Sequence, residues 1–164
     1  MTDFTALYRR YAPDVFRFAF YLAGSREKAE DITSETFVRA WTAREPIRSA
    51  TAKGFLLTIA RNVFLKQHAR DTRHVGLPED VELLLADPGP SPHARAEQRA
   101  ELGAVIEGLH ELSAVDRAAL LLRAFEGVGY EEIARVLGIP IGTAKVRVHR
   151  ARLALAARRS QRED

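Results

Sequence analysis

The chain has 164 residues, 46% hydrophobic and 29% charged, a balance that supports a folded core and excludes a disordered chain. It contains no cysteine, which removes disulfide scaffolds, thiolate metal sites, iron–sulfur clusters and thiol nucleophiles together. Its formal net charge of +3 conceals segregation: residues 1–73 carry 13 Lys/Arg against 8 Asp/Glu, residues 74–116 carry 2 against 9, and residues 117–164 carry 10 against 5.

Two basic blocks around an acidic one point to a polyanionic partner, nucleic acid before membrane, although solvated basic helix faces give the same sums. Apolar stretches such as 15–23 are interrupted by Arg17 or fall short of the ~20 residues that span a bilayer. Met1-Thr2-Asp3-Phe4 lacks the basic-then-apolar design of a signal peptide, so a cytoplasmic chain without membrane insertion is expected.

The hydrophobic period is helical throughout. Phe4, Leu7, Tyr8, Tyr11, Val15, Phe18 and Leu22 follow the i, i+3, i+4, i+7 rule, with Pro13 expected to kink or divide that helix. Gly24-Ser25 stops it and offers Ser25 as the next N-cap. A second helix, 26–44, places Ala29, Ile32, Thr33, Thr36, Phe37 and Ala40 on one face and Glu27, Asp31, Glu35 and Arg39 on an exposed stripe. A third, 52–73, buries Leu56, Ile59, Ala60 and Val63 and carries Asn62, Lys66, Arg70 and Arg73 on a polar, basic face. Phe55 and Trp41 read as core.

Four of the seven prolines fall between His74 and Arg95, a stretch that cannot hold a continuous helix. The expected architecture is therefore all-α: a helical domain over 1–75, a Pro-rich acidic linker over 76–95 and a second helical domain over 96–164. The second domain starts with a helix over 94–112. Ser113 then caps an apolar helix expected to run through Leu120, Leu121 and Leu122 to Phe125. A short helix over 130–137, a Gly138 C-cap, a turn over 139–142 and a final helix from Thr143 to about Arg159 complete it.

Two helices joined by a short Gly-containing turn, the second strongly basic, form the layout of a helix-turn-helix. Ala144, Val148, Ala151 and Leu155 make the buried stripe of the last helix and leave Thr143, Lys145, Val146, Arg147, His149, Arg150 and Arg152 outside. No acidic residue occurs from Ile133 to Gln161. A helix entering the major groove needs this: no carboxylate facing phosphate, short residues at its start, long donors for base edges.

The run from Glu126-Gly127-Val128-Gly129-Tyr130-Glu131-Glu132-Ile133-Ala134 through Gly142-Thr143-Ala144-Lys145-Val146-Arg147-Val148-His149-Arg150-Ala151-Arg152 resembles the C-terminal promoter-recognition domain of extracytoplasmic-function (ECF, group IV) sigma factors of the sigma-70 family. In the N-terminal half, 29–41 is similar to the family's polymerase-binding helix and 55–62 to its minus-10 helix. The resemblance implies an alternative sigma factor that binds core polymerase and directs promoter-specific initiation. It implies Asp31, Ser34, Glu35 and Arg39 as contacts to the coiled coil of the polymerase's largest subunit, with the polymerase flap as a further partner. Minus-10 DNA would fall to Arg48, Lys53, Arg61, Asn62, Lys66, Arg70 and Arg73, with Arg44 in the same loop. Minus-35 DNA would fall to Thr143, Lys145, Val146, Arg147, His149 and Arg150. Control by an anti-sigma factor and a monomeric free state are implied as well, and attraction between the acidic linker and the basic lobes is one way to fold the lobes together.

Departures from the family pattern fall at Ser34, Phe55, Lys66-Gln67-His68-Ala69-Arg70, Gly129 and Val146, where Gln, Trp, an Asp before paired arginines, Ser and Ser respectively are usual. Val146 can touch a thymine methyl but cannot donate a hydrogen bond. Two other readings stay open: a decoy or adaptor that keeps the fold without promoter binding, and a stand-alone helix-turn-helix regulator. Catalysis is not expected, because there is no nucleophile elbow, zinc-protease motif or phosphate loop, and His68, His74, His93, His110 and His149 have no ligand spacing. No cofactor, metal or small-molecule substrate is expected.

Overall fold

A computed structural model describes residues 4–43, 51–70 and 91–163. Among these the secondary structure is helical: α1 Phe4–Ala23, α2 Arg26–Thr42, α3 Ala52–Arg70, α4 Pro92–Glu111, α5 Ala114–Leu120 leading into a π-helical turn Leu121–Phe125, α6 Tyr130–Leu137 and α7 Ile141–Glu163. The first three helices pack on one another, and α5, α6 and α7 form a second cluster closed by α4. The fold is all-α with two helical lobes, as the periodicity predicts.

Leu7, Val15, Phe18 and Leu22 are buried on α1, and so are Ala19, Phe20, Tyr21 and Ala23. A helix apolar on every side needs cover on every side. For α1 that cover is α2 and α3 on one flank and α4, α5 and the π-helical turn on the other. Pro13 does not divide this helix, contrary to expectation: it is exposed, so water can take the Arg9 carbonyl that Pro13 cannot bond. Ser25 caps α2 by accepting from the Lys28 N–H at 3.3 Å. Thr33 and Thr36 sit in the core because their hydroxyls donate to the Ala29 and Ile32 carbonyls at 2.7 and 2.6 Å.

Several boundaries differ from the sequence reading. α2 ends at Thr42 with Ala43 extended, two residues early. Helix α4 begins at Pro92 because Ser91 accepts from the Ala94 N–H and a proline is well suited to a first helical position, so its first turn falls on residues read as linker. Ser113 caps α5 as expected, through the Asp116 N–H at 3.1 Å. The regular helix stops at Leu120, however, and a wider turn follows in which the Glu126 N–H reaches the Leu121 carbonyl and the Val128 N–H the Leu122 carbonyl. α7 starts at Ile141 rather than Thr143. Trp41 is not core: it is 66% exposed, with its ring edge-on to Phe4 at 4.7 Å. The linker residues 76–90 and helix positions 71–73 lie outside the described residues.

Gly138 ends α6 at φ +66° and Ile139 closes back on the Ala134 carbonyl at 3.0 Å, a Schellman arrangement that fixes the angle between α6 and α7. Gly142 has an ordinary helical backbone and open space where a Cβ would stand. We predict opposite signs for one methyl at each: Gly138→Ala lowers stability by about 1–2 kcal/mol, and Gly142→Ala raises it by about 0.5 kcal/mol. Urea unfolding of the two variants checks this, and a shared sign refutes it.

Candidate nucleic-acid interface

Helices α6 and α7 meet through the three-residue turn Gly138-Ile139-Pro140. Ala144, Val148 and Ala151 are fully buried, and Leu155 is half-buried beyond them. Small residues here let α7 lie close against α5 and α6, which leaves its opposite face free. That face shows Lys145, Val146, His149, Arg150 and Arg152, all exposed, with Val146 at 54%. Thr143 is half-buried at its start. The Tyr130 ring meets two cations, with the Arg123 guanidinium 4.6 Å and the Lys145 ammonium 5.9 Å from its centroid. Cation–π attraction of this kind holds Lys145 at the start of α7 without removing its charge.

Arg147 behaves differently from its neighbours. Its Nη1 donates to Asp116 Oδ1 at 2.8 Å, tying α7 to the first turn of α5, and its Nε has no hydrogen-bond partner. Arg147 adjoins the buried Val148, so it lies at the edge of the stripe and its side chain turns back over α5 rather than out with Lys145 and Arg150.

On the N-terminal lobe, α3 brings together Arg61, half-buried, and Asn62 and Lys66, exposed. Burial pushes the Arg61 guanidinium below its usual range, leaving it charged at neutral pH. Arg70 continues the register at the end of α3, while its side chain, Arg44, Arg48 and Arg73 lie outside the described residues. On α2, Asp31 and Ser34 are exposed, and Glu35 accepts from Arg39 at 2.7 Å, an i, i+4 pair worth a few tenths of a kcal/mol. Beside them stand Val38, 60% exposed, and Trp41, an apolar element of this surface that the charge pattern did not show.

Lys53 stands apart from the other α3 cations. Its Nζ lies 3.0 Å from the Glu126 carbonyl oxygen and 3.2 Å from Glu126 Oε1, so it faces the C-terminal lobe. Arg17 completes the site: its Nε and Nη2 donate to the two Glu126 carboxylate oxygens at 2.9 and 2.8 Å, and Nη2 also donates to Asp14 at 2.9 Å. The hydrogen bond to Glu126, with the charges of Glu126 and Asp14, raises the Arg17 pKa. Glu126 itself has 0% side-chain exposure. From the other lobe, Arg117 donates to the carbonyls of Leu22 at 2.6 Å, Leu109 at 2.8 Å and Leu112 at 3.2 Å. Burial pulls its pKa down to about 10. Sequence reasoning missed Arg17, Arg117 and Glu126, since no local spacing links residues 95 and 109 positions apart.

Residues 7–74 match the Sigma-70 region 2 family and residues 102–155 the Sigma-70, region 4 family. The chain is 36% identical to the ECF RNA polymerase sigma factor SigE of Mycolicibacterium smegmatis over 93% of its own length, spanning 60% of that protein. It is 32% identical to the ECF RNA polymerase sigma factor SigL of Mycobacterium tuberculosis, over 92% of this chain and 85% of that one. The chain belongs to the ECF sigma factors of the sigma-70 family. Among solved structures, the sigma factor RpoE in complex with the anti-sigma factor NepR from Bartonella quintana matches this ECF sigma factor with a TM-score of 0.75 and 28% identity, covering 98% of both chains. CnrH, in complex with the cytosolic domain of CnrY, shares the fold at a TM-score of 0.69 and 24% identity. The region 2 match spans α1 to α3, and the region 4 match runs from within α4 into α7. Among the described residues, no three His, Asp or Glu cluster as metal ligands and no helix is long and apolar enough to cross a membrane.

The placement of Arg147 in this ECF sigma factor is testable by a double-mutant cycle. Arg147→Ala and Asp116→Ala are each expected to lower stability, with a coupling of about 1 kcal/mol, while Arg150→Ala stays within about 0.5 kcal/mol of the parent. Thermal unfolding of the four proteins of the cycle and of Arg150→Ala measures this, and additive losses at 116 and 147 refute the contact.

Proposed function

We propose that this chain is a group IV promoter-specificity subunit of RNA polymerase that works in the cytoplasm as a monomer when free. It docks on core polymerase through Asp31, Ser34, Glu35 and Arg39 of α2, which face the coiled coil of the largest subunit, and its C-terminal lobe meets the flap. Arg61, Asn62 and Lys66 of α3, with Arg48, Lys53, Arg70 and Arg73, hold the minus-10 strand as it opens. Lys145, Val146, His149 and Arg150 read minus-35 DNA in the major groove, with Thr143 and Arg147 at the margins of that face. The observation that carries this reading is the outward face of α7: cations and one apolar side chain on a packed helix-turn-helix, with no carboxylate from Ile133 to Gln161. Family membership supplies the polymerase, and the anti-sigma complex of the related RpoE supports control of this chain by an anti-sigma factor.

Run-off transcription with purified core polymerase on a mixed genomic template, followed by sequencing of transcript starts, tests the proposal. Starts that depend on this protein are expected. Binding to core without starts overturns promoter recognition in favour of a decoy, and failure to bind core overturns the polymerase reading altogether. On a promoter found this way, Lys145→Ala and Arg150→Ala should each flatten the plot of log affinity against log salt by about 0.9 if each cation neutralises one phosphate. Unchanged slopes would remove both residues from the DNA contact.

A further inference from the structure

Val146 is an apolar, β-branched residue on a helix surface that is otherwise cationic. Such a residue serves an exposed helix position less well than Ala, Lys or Arg, because its χ1 freedom is lost against the preceding turn. It is 54% exposed, so it contributes little to the core. Both of its neighbours in sequence have their cations held by other helices. The Lys145 ammonium lies 5.9 Å from the ring centroid of Tyr130 on α6, and Arg147 donates to Asp116 of α5 at 2.8 Å. One turn further on, His149 and Arg150 are exposed at the i+3 and i+4 positions. The result is a small apolar surface framed by donors.

Its place along the helix decides what that surface can meet. Val146 lies within the first two turns of α7, which starts at Ile141, and the opening residues of a recognition helix are those that reach base edges. In the major groove guanine shows two acceptors, adenine an acceptor and a donor, cytosine a donor, and thymine alone a methyl group. An isopropyl group neither donates nor accepts. Set against cytosine or a purine it strips water from a polar group and gives nothing in return, whereas set against thymine it buries one apolar group on another. Leu153, 58% exposed on the same stripe, stands about 10 Å further along the axis, outside the opening turns.

We propose that Val146 is a specificity-determining residue that reads the 5-methyl group of one thymine in the major groove. The proposal rests on the reading of α7 as the DNA-facing helix, and it divides the work of that face. Lys145 and Arg150 supply affinity through phosphate, which depends on salt and carries no sequence information. Val146 supplies a base preference that salt does not touch, because it carries no charge.

The test uses the full chain, alone and with core polymerase, to select duplexes from a randomised pool. Each thymine of a selected duplex is then replaced in turn by deoxyuridine, which removes the methyl and keeps the base pair. At one position the replacement is expected to weaken binding of the parent about fourfold, the scale of burying a single methyl group. Val146→Ser should bind thymine and deoxyuridine alike at that position, and Val146→Ile should keep the discrimination. Both variants, with helix content confirmed by circular dichroism, should keep the parent's slope of log affinity against log salt. If the parent shows no deoxyuridine effect, or if Val146→Ser shows every effect that the parent shows, the proposal is overturned and the DNA-facing reading of α7 stands. A changed salt slope in Val146→Ser overturns it too, since the residue would then act through phosphate contacts. If no duplex is selected with or without core polymerase, the DNA-facing reading itself fails and this proposal falls with it.

Discussion

Glu126 places a full negative charge where its side chain has no contact with water, and the relative position of the two lobes follows from how that charge is met. Stripping a carboxylate of water costs several kcal/mol, a penalty that only well-aligned partners offset. Arg17 supplies two parallel hydrogen bonds and Lys53 a third cationic contact, and both come from the opposite lobe. Removing either partner leaves a buried charge undercompensated, so the pair specifies a position rather than adding much net stability. Arg117 works in the reverse direction. It belongs to the C-terminal lobe and its three carbonyl acceptors lie at the ends of α1 and α4, where the helix dipoles favour a cation.

Within the C-terminal block, charge is segregated again by helix face. The C-terminal lobe is basic on average, yet it turns Glu126 and Glu132 toward the N-terminal lobe and leaves Lys145, His149 and Arg150 exposed. Among the described residues the ionic contacts between the lobes run through Glu126, which lies inside a basic block; the acidic linker lies outside the described residues. Partitioning of this kind suits a small helical lobe that must bind a polyanion on one side and a neighbour on the other. It requires no change in net charge, only a choice of helix face.

Much of the fold was legible because amphipathic helices announce their buried face locally. The stripe Ala144, Val148, Ala151, the caps Ser25 and Ser113 and the left-handed Gly138 all follow from spacing within one or two turns. What escaped depends on distant partners or on solvent. Pro13 is tolerated because its helix face is wet. Trp41 is exposed although aromatic, and nothing in a heptad distinguishes a core ring from a surface one. The π-helical turn overlaps a run, Ala118 to Leu122, whose sequence is an ordinary apolar helix, and it becomes visible only through the Leu121 and Leu122 carbonyls it satisfies. For the site, the outward face of α7 was legible except at Arg147, whose partner Asp116 lies 31 residues away.

The composition of the contact between lobes bears on how readily it opens. An interface of apolar side chains loses hydrophobic stabilisation in proportion to the area exposed, about 25 cal/mol per Å², with nothing returned. Here an apolar core, in which Phe20, Tyr21, Leu22 and Ala23 of α1 are buried on the flank that faces α4, α5 and the π-helical turn, adjoins carboxylates and cations that regain hydration on separation. The electrostatic part of the opening cost is thus largely offset by water. Reversing a 99:1 population requires about 5.5 kcal/mol of preferential binding to the minor form. A partner that prefers the lobes apart therefore has to offset the apolar term as well as the ionic one. The buried charges fix the geometry of the contact, and the apolar core beside them sets most of what separation costs.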